Sequence, residues 1–390
     1  MFELESKGGG IACVLLALLL TGTWPAILTL LERRGRLPQH TYLDFTITNL
    51  LAALIMVFAF GEAGKNSNEN PNFLNQLPQD NWSSVSFALA AGVFLSLGNI
   101  SIQYAFALVG LAVTLVISLS ISIVIGTTLN FFLDDQINKA QILFPGVGCF
   151  VIAVFVGFAV HTSNSADDRD KLLNRSNDFK EAKGANLESG TTGTVKAKFG
   201  TADFLVELEE KRAIKVFGRS NFVGFSITIF AGICFSLFSP SFNLATNDQF
   251  HTLKGSVPNL SVCTAYFHFS ISSFVVAIFL NVMFLYRPAM GSSSSSLGAY
   301  ISDWKGRGWA LVAGTLCGLG NGSQFIGGQA AGYAAAAAAQ ALPLVSTFWG
   351  IILFGEYWKS SRRTYSLLGS MLFMFALAVA LLMASSAHRN

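Results

Sequence analysis

The chain has 390 residues, of which 52% are hydrophobic and 12% charged, and its net charge is +3. Its mean hydropathy is +0.53; soluble domains carry about 25% charged residues, so a string of ordinary soluble domains is excluded. A charge this small leaves no basic footprint for nucleic acid.

Windows of about 20 apolar residues span a bilayer. Ten occur, at 10–31, 41–61, 83–107, 109–132, 141–162, 221–242, 262–285, 308–328, 330–354 and 364–386. The expected fold class is therefore an all-α membrane protein with ten transmembrane helices. The first window has no basic stretch before it and no small-residue cleavage site, so it reads as a span rather than a leader. It carries Trp24-Pro25, a candidate stacking platform beside a kink.

The second window carries Asp44 in its first turn. The third places Asn99 and Gln103 on one helix face (i, i+4), and the fourth carries a Thr114, Ser118, Ser122 stripe. Asp134 closes that fourth helix. The stretch 163–220 reads as a central loop, disordered to about 200 and then a short amphipathic helix over "TADFLVELEEKRAIKVFG". Within it, "AIKVFGRS" departs from a phosphate-binding loop at Ala213 and Arg219 and has no strand before it, so its basic residues read as juxtamembrane.

The seventh window opens with His268 near its start, and the tract Ser292–Ser296 reads as a flexible linker. The eighth offers Asn321 and Gln324 (i, i+3). The ninth carries the run Ala334–Ala339, then Gln340 and Pro343, which is expected to break the helix. Glu356 follows at its end.

No Lys or Arg lies in any window. Segments 32–40, 286–307 and 355–363 hold nine of them, whereas 62–82, 133–140 and 243–261 hold only Lys65, Lys139 and Lys254. The positive-inside rule puts the first set, and 163–220 with it, in the cytoplasm and both termini outside.

The chain also repeats itself. "ALAAGVFLSLGN" (88–99) and "ALVAGTLCGLGN" (310–321) agree at seven of twelve positions, 222 residues apart. "TYLDFTITNLLAA" (41–53) aligns with "AYFHFSISSFVVA" (265–277), which pairs Asp44 with His268. Pro25 pairs with Pro240, Gly110 with Gly332 and Asp134 with Glu356. Five helices followed by the same five insert in opposite orientations, which is the inverted repeat of secondary transporters. The expected organisation is thus a first five-helix repeat (1–162), a central loop (163–220) and a second repeat (221–390).

With no cation in a span, a neutral substrate fits the pocket better than a phosphate or carboxylate. Asn and Gln present donors and an acceptor that complement the N–H and C=O of a lactam, imide or ureide. Substrate candidates are Trp24, Asn99, Gln103, Thr114, Ser118, Asn321, Gln324 and Gln340. Asp44 and His268 are the proton-coupling candidates, and Asp134 and Glu356 suit caps or gates. No nucleophile–base pair or metal cluster lies in a span, so neither an enzyme nor a cofactor is expected.

The strings "LFGEYWKSSRRTYSLLGSMLF" and "FLDDQINKAQILFPGVGCF" resemble the drug/metabolite transporter superfamily. More closely, "LLERRGRLPQHTYLDFTITNLLAA", "SLGNISIQYAFALVGLAVT", "GTTLNFFLDDQIN" and "FLVELEEKRAIKVFG" resemble the plant ureide permease family. The resemblance implies proton-coupled uptake of allantoin and related oxo-heterocycles such as uracil across the plasma membrane. Leu115 follows Thr114, where the family pattern implies an acidic residue. Rival readings are an exporter or facilitator of another small metabolite, and a non-transporting scaffold or sensor.

Overall fold

A computed structural model of the chain describes residues 6–62, 71–184, 207, 210–214, 221–251, 253, 257–289 and 292–386. Its long helices are α1 (Lys7–Arg33), α2 (Pro38–Gly61), α3 (Trp82–Leu108), α4 (Leu111–Leu133), α5 (Ala140–Gly184), α6 (Asn221–Asn247), α7 (Val262–Tyr286), α8 (Arg307–Ala331), α9 (Leu342–Phe354) and α10 (Arg362–Ser385). Their starts follow local chemistry. Pro38 opens α2, where its missing N–H costs nothing. The hydroxyls of Ser261 and Ser361 cap α7 and α10 by accepting from the amides of Thr264 and Thr364.

Nine helical segments among the described residues are long and apolar enough to cross a membrane. The chain is an all-helical, multi-pass membrane protein. The remaining expected span, 308–328, is the 25-residue helix α8. Its glycines and amides leave it less apolar than the rest, and its buried face is nearly all small residues and amides. α4 is the most enclosed, with 67% of its apolar window buried, against 33% for α5, α7 and α10. Phe155, Phe279 and Phe373 on those three outer helices are 62–70% exposed, which suits a lipid-facing surface.

The packing follows a rule. α1 lies on α8 and α9, and α6 lies on α3 and α4; α2 lies on α8, and α7 on α3; α2 also meets α7, and α5 meets α10. Advancing every label by five returns the same set of pairs.

The repeated string explains two of these crossings. A Cβ on Gly314 would collide with the Phe45 carbonyl and the Thr48 hydroxyl, and one on Gly92 with the Phe269 carbonyl and the Ser272 hydroxyl. The Thr48 hydroxyl donates to the Leu311 carbonyl at 2.6 Å, and that of Ser272 donates to the Leu89 carbonyl at 2.8 Å. Glycine lets the backbones approach closely enough for these bonds. Gly110 and Gly332 form a further matched pair, with φ of 96° and 92° at the starts of α4 and of the turn Tyr333–Ala336.

Three expectations change. The helix of the fifth window does not stop near 162 but runs on to Gly184. Residues 185–206 and 215–220, with most of the expected amphipathic helix, lie outside the described residues. The ninth window is not one helix: a turn at Tyr333–Ala336 and a 3-10 turn at Ala337–Gln340 precede α9, which starts ahead of Pro343. The break falls before the proline because proline fits the first turn of the helix that follows it. The serine tract is not free either. Gln39 Nε2 donates to the Ser292 hydroxyl at 3.3 Å and the Ser293 carbonyl at 3.2 Å, and Ser295 Oγ lies 2.8 Å from His40 Nε2.

Candidate functional site

All eight substrate candidates are buried, as their place on inward faces requires. Gln324 on α8 and Gln340 on the 3-10 turn meet: Gln340 Nε2 donates to Gln324 Oε1 at 3.0 Å. The break before α9 presents Gln340 to α8, since a continuous helix would leave no irregular turn there. Asn99 on α3 is buried, 2% exposed. Asn321 Nδ2 lies 3.4 Å from Cys317 Sγ, one turn back on its own helix.

On α4, Ser118 Oγ donates to the Thr114 carbonyl at 2.7 Å, which leaves its donor satisfied within the helix. The Thr114 hydroxyl is buried without a hydrogen-bond partner, as is that of Ser346 on α9. Burying a hydroxyl unpaired is costly, and such groups mark places that a ligand or water satisfies. Ser346 carried no signal in the sequence, because one serine in an apolar run is unremarkable. The Trp24 ring is tilted against Phe45 at 5.3 Å, so one face is filled by protein. Gln103 stands apart. It lines a small cavity of about 10 Å³, room for about one water molecule, together with Leu28, Thr29, Glu32, Pro38, Thr41 and Phe106; none of the other seven candidates lines it.

The two proton-coupling candidates, paired by the repeat, sit at opposite ends of the molecule. The Phe73 ring touches both Phe58 and Phe267, which sets His268 level with the far end of α2. Fourteen helical residues separate Phe58 from Asp44, or roughly 21 Å along the axis. Asp44 is buried in an ion cluster: it takes Arg36 Nη2 at 2.6 Å, Arg307 Nε at 3.2 Å and the Tyr300 hydroxyl at 2.7 Å. Asp303 extends the cluster to Arg36 at 3.4 Å and to His40 at 2.8 Å. Partial burial opposes ionisation of Asp303, but the His40 hydrogen bond and the Arg36 charge outweigh it and hold its carboxyl below the ordinary range. Burial, then the hydrogen bond to Asp44, pushes Tyr300 up to about 12.

Sequence reading missed this cluster, since its members fall in two segments, 36–44 and 300–307, that only the fold unites. Arginine in a short basic loop signals orientation and not a buried partner. At the same end, Arg33 Nη2 pairs with Glu356 Oε1 at 2.9 Å and joins α1 to the end of α9. At the opposite end, Asp134 Oδ2 accepts from the amide of Tyr333 at 2.7 Å and joins α4 to the turn before α9. The ion pairs Arg33–Glu356, Arg36–Asp44, Arg36–Asp303 and Arg307–Asp44 lie at the arginine-rich end, outside the centre of the helix bundle. What lies between the ends is amide, hydroxyl and aromatic, and no group of three or more His, Cys, Asp or Glu among the described residues is placed to hold a metal.

Residues 41–385 match the sequence model of the family described as ureide permease. The chain is 64% identical over 398 residues to Ureide permease 2 of Arabidopsis thaliana and 65% identical over 393 to Ureide permease 1 of the same plant, with 100% of both chains covered in each case. It is 60% identical over 372 residues to Probable ureide permease A3 of Vigna unguiculata, covering 93% of this chain and 99% of that one. These relatives are named as permeases, not as enzymes.

Proposed function

The chain belongs to the ureide permease family, and from that premise we propose that it imports neutral, nitrogen-rich oxo-heterocycles by alternating access. Allantoin and uracil are the substrates proposed, protons the driving ion, and the plasma membrane the site. The observation that carries this reading is the chemistry of the bundle's interior. Buried amides and hydroxyls from α3, α4, α8 and the turn before α9 stand there with no fixed charge among them. Such a lining pairs with the N–H and C=O of a ureide ring and would leave an anion unpaired.

The matched crossings at Gly92 and Gly314 and the packing set that maps onto itself support ten spans in two inverted repeats, 1–162 and 221–390. The intervening 163–220 and the arginine-rich end are placed in the cytosol, with both termini outside. Gln324, Gln340, Thr114 and Ser118, with Asn99, Gln103, Asn321 and Trp24, are the proposed substrate contacts. His268 stays a candidate for proton coupling. Asp44, whose carboxylate accepts from two arginines and a tyrosine, serves the closure of its end better than a proton path. Asp134 and Glu356 fasten the two ends.

Reconstituted vesicles tested with radiolabelled allantoin and uracil, with and without an inward proton gradient, decide the matter. Saturable uptake that the gradient accelerates is expected. Uptake no faster than in protein-free vesicles overturns the reading, and uptake indifferent to the gradient removes the proton alone.

A further inference from the structure

The alignment that pairs the two repeated strings also pairs Trp82 with Trp304, 222 residues apart. Both rings are exposed, at 72% and 75%, among the most exposed large apolar side chains of the described residues. Each follows a short helix that joins two long ones: Phe73–Gln76 between α2 and α3, and Leu297–Ser302 between α7 and α8. Each short helix is fastened to the bundle. Phe73 is buried, with its ring against Phe58 of α2 and Phe267 of α7. Gln76 Nε2 donates to the Asn259 carbonyl at 2.8 Å, and Gln76 Oε1 accepts from the Ser261 amide at 2.9 Å. At the arginine-rich end the Tyr300 hydroxyl donates to Asp44 at 2.7 Å, and Asp303 lies 2.8 Å from His40. The side chains left exposed include Leu74, Leu77 and Trp82 at one end, and Leu297, Ile301 and Trp304 at the other.

One exposed apolar ring on a surface is ordinary. The same ring at the same repeat position at both ends, beside exposed leucines, calls for a partner. Position identifies it. Asp44 in the first turns of α2 meets Tyr300, and Phe58 near the end of α2 meets Phe73. α2 therefore runs from one short helix to the other, and its 24 residues cover about 36 Å. A hydrocarbon core is about 30 Å thick, or about 40–45 Å with its headgroup layers. The two tryptophans thus stand where hydrocarbon gives way to headgroups, on opposite faces. Indole suits that layer, with an apolar body for the acyl chains and an N–H for the wet side. The Arg307 guanidinium lies 4.6 Å from the centroid of the Trp304 ring, which still leaves most of that ring open to lipid. We propose that the two short helices are interfacial anchors. Leu74 and Trp82 seat one in the headgroup layer of one leaflet, and Leu297, Ile301 and Trp304 seat the other in the opposite leaflet. Together they hold the α2–α3 and α7–α8 joints at fixed depth. The inference rests on the chain spanning the membrane and not on what it carries.

The test uses the full-length protein in nanodiscs, where both faces are open to solvent, and reads tryptophan emission. The chain has six tryptophans, so the emission of each ring is taken as the difference between wild type and Trp82→Phe or Trp304→Phe. Quenching is compared for lipid brominated high on its acyl chains, lipid brominated near the chain ends, and iodide in the water. Each ring is expected to be quenched at least about twofold more by shallow bromine than by deep bromine or iodide, as an indole at the interface must be. Trp82→Tyr and Trp304→Tyr keep an interfacial ring and supply the same differences where a phenylalanine variant does not fold. Quenching mainly by iodide puts the ring in water, and quenching mainly by deep bromine puts it in the hydrocarbon core. Quenching by none of the three covers it with protein, such as a second copy of the chain. Any of these outcomes at either tryptophan overturns the paired anchors.

Discussion

Gln340→Ala is the most direct probe of the interior. The side chain it removes donates to Gln324 Oε1 at 3.0 Å, and the two residues are 9% and 2% exposed. Truncation leaves the Gln324 carbonyl buried without this donor and removes a donor from the proposed substrate contacts. An unsatisfied buried group costs about 1–3 kcal/mol, or roughly 5- to 150-fold in affinity. Hydrogen bonds between membrane helices average only about 0.6 kcal/mol of stability, so most of the loss should appear in substrate affinity and little in folding. The assay is saturation uptake of a radiolabelled ureide and of its N-methylated analogue, normalised to protein at the surface. The loss should be large for the parent ureide and small for the analogue, which never had the N–H to pair. Because the two glutamines share one bond, Gln324→Ala with Gln340→Ala should cost less than the sum of the single changes. Equal losses for both substrates, or unchanged affinity, refutes the assignment and makes the pair an interhelix bond only.

Gly314→Ala and Gly92→Ala should each destabilise by about 1–3 kcal/mol, since the added methyl meets a backbone carbonyl that cannot swing away. Thermal unfolding of the solubilised protein reads this, with Gly369→Ala, which meets nothing within 4 Å, as the silent control; wild-type unfolding in either variant refutes the close crossing. Asp44→Asn should lower the amount of folded protein, because it leaves Arg36 and Arg307 buried without their shared counter-charge, at about 3–5 kcal/mol for a broken buried pair. Asp303→Asn, whose side chain is 22% exposed, should cost less, and an Asp44→Asn protein as abundant and stable as wild type ends the argument.

Much of this protein was legible in its sequence because a bilayer constrains a chain locally. Every backbone group in lipid must be satisfied within its own helix, so apolar length alone predicted α1 to α7 and α10 to within a few residues, except where α5 outruns its window. The repeated string marked two close crossings, since Gly92 and Gly314 each meet a backbone carbonyl of a neighbouring helix. Buried polar residues could be read as candidates, because an amide in an apolar window needs a reason to be there. Partners could not. Whether Gln340 meets Gln324, or Thr48 meets Leu311, depends on which helix lies beside which and at what rotation. The break before α9 is likewise set by packing against α1 and α4, and Pro343 only marks where a new helix can begin. The cluster around Asp44 and the pairing of Arg212 with Glu32 lay furthest from reach. Their charges sit in segments up to 267 residues apart, and each is stable in a buried place only because the others are there. A pairwise condition of that kind is met in three dimensions or not at all.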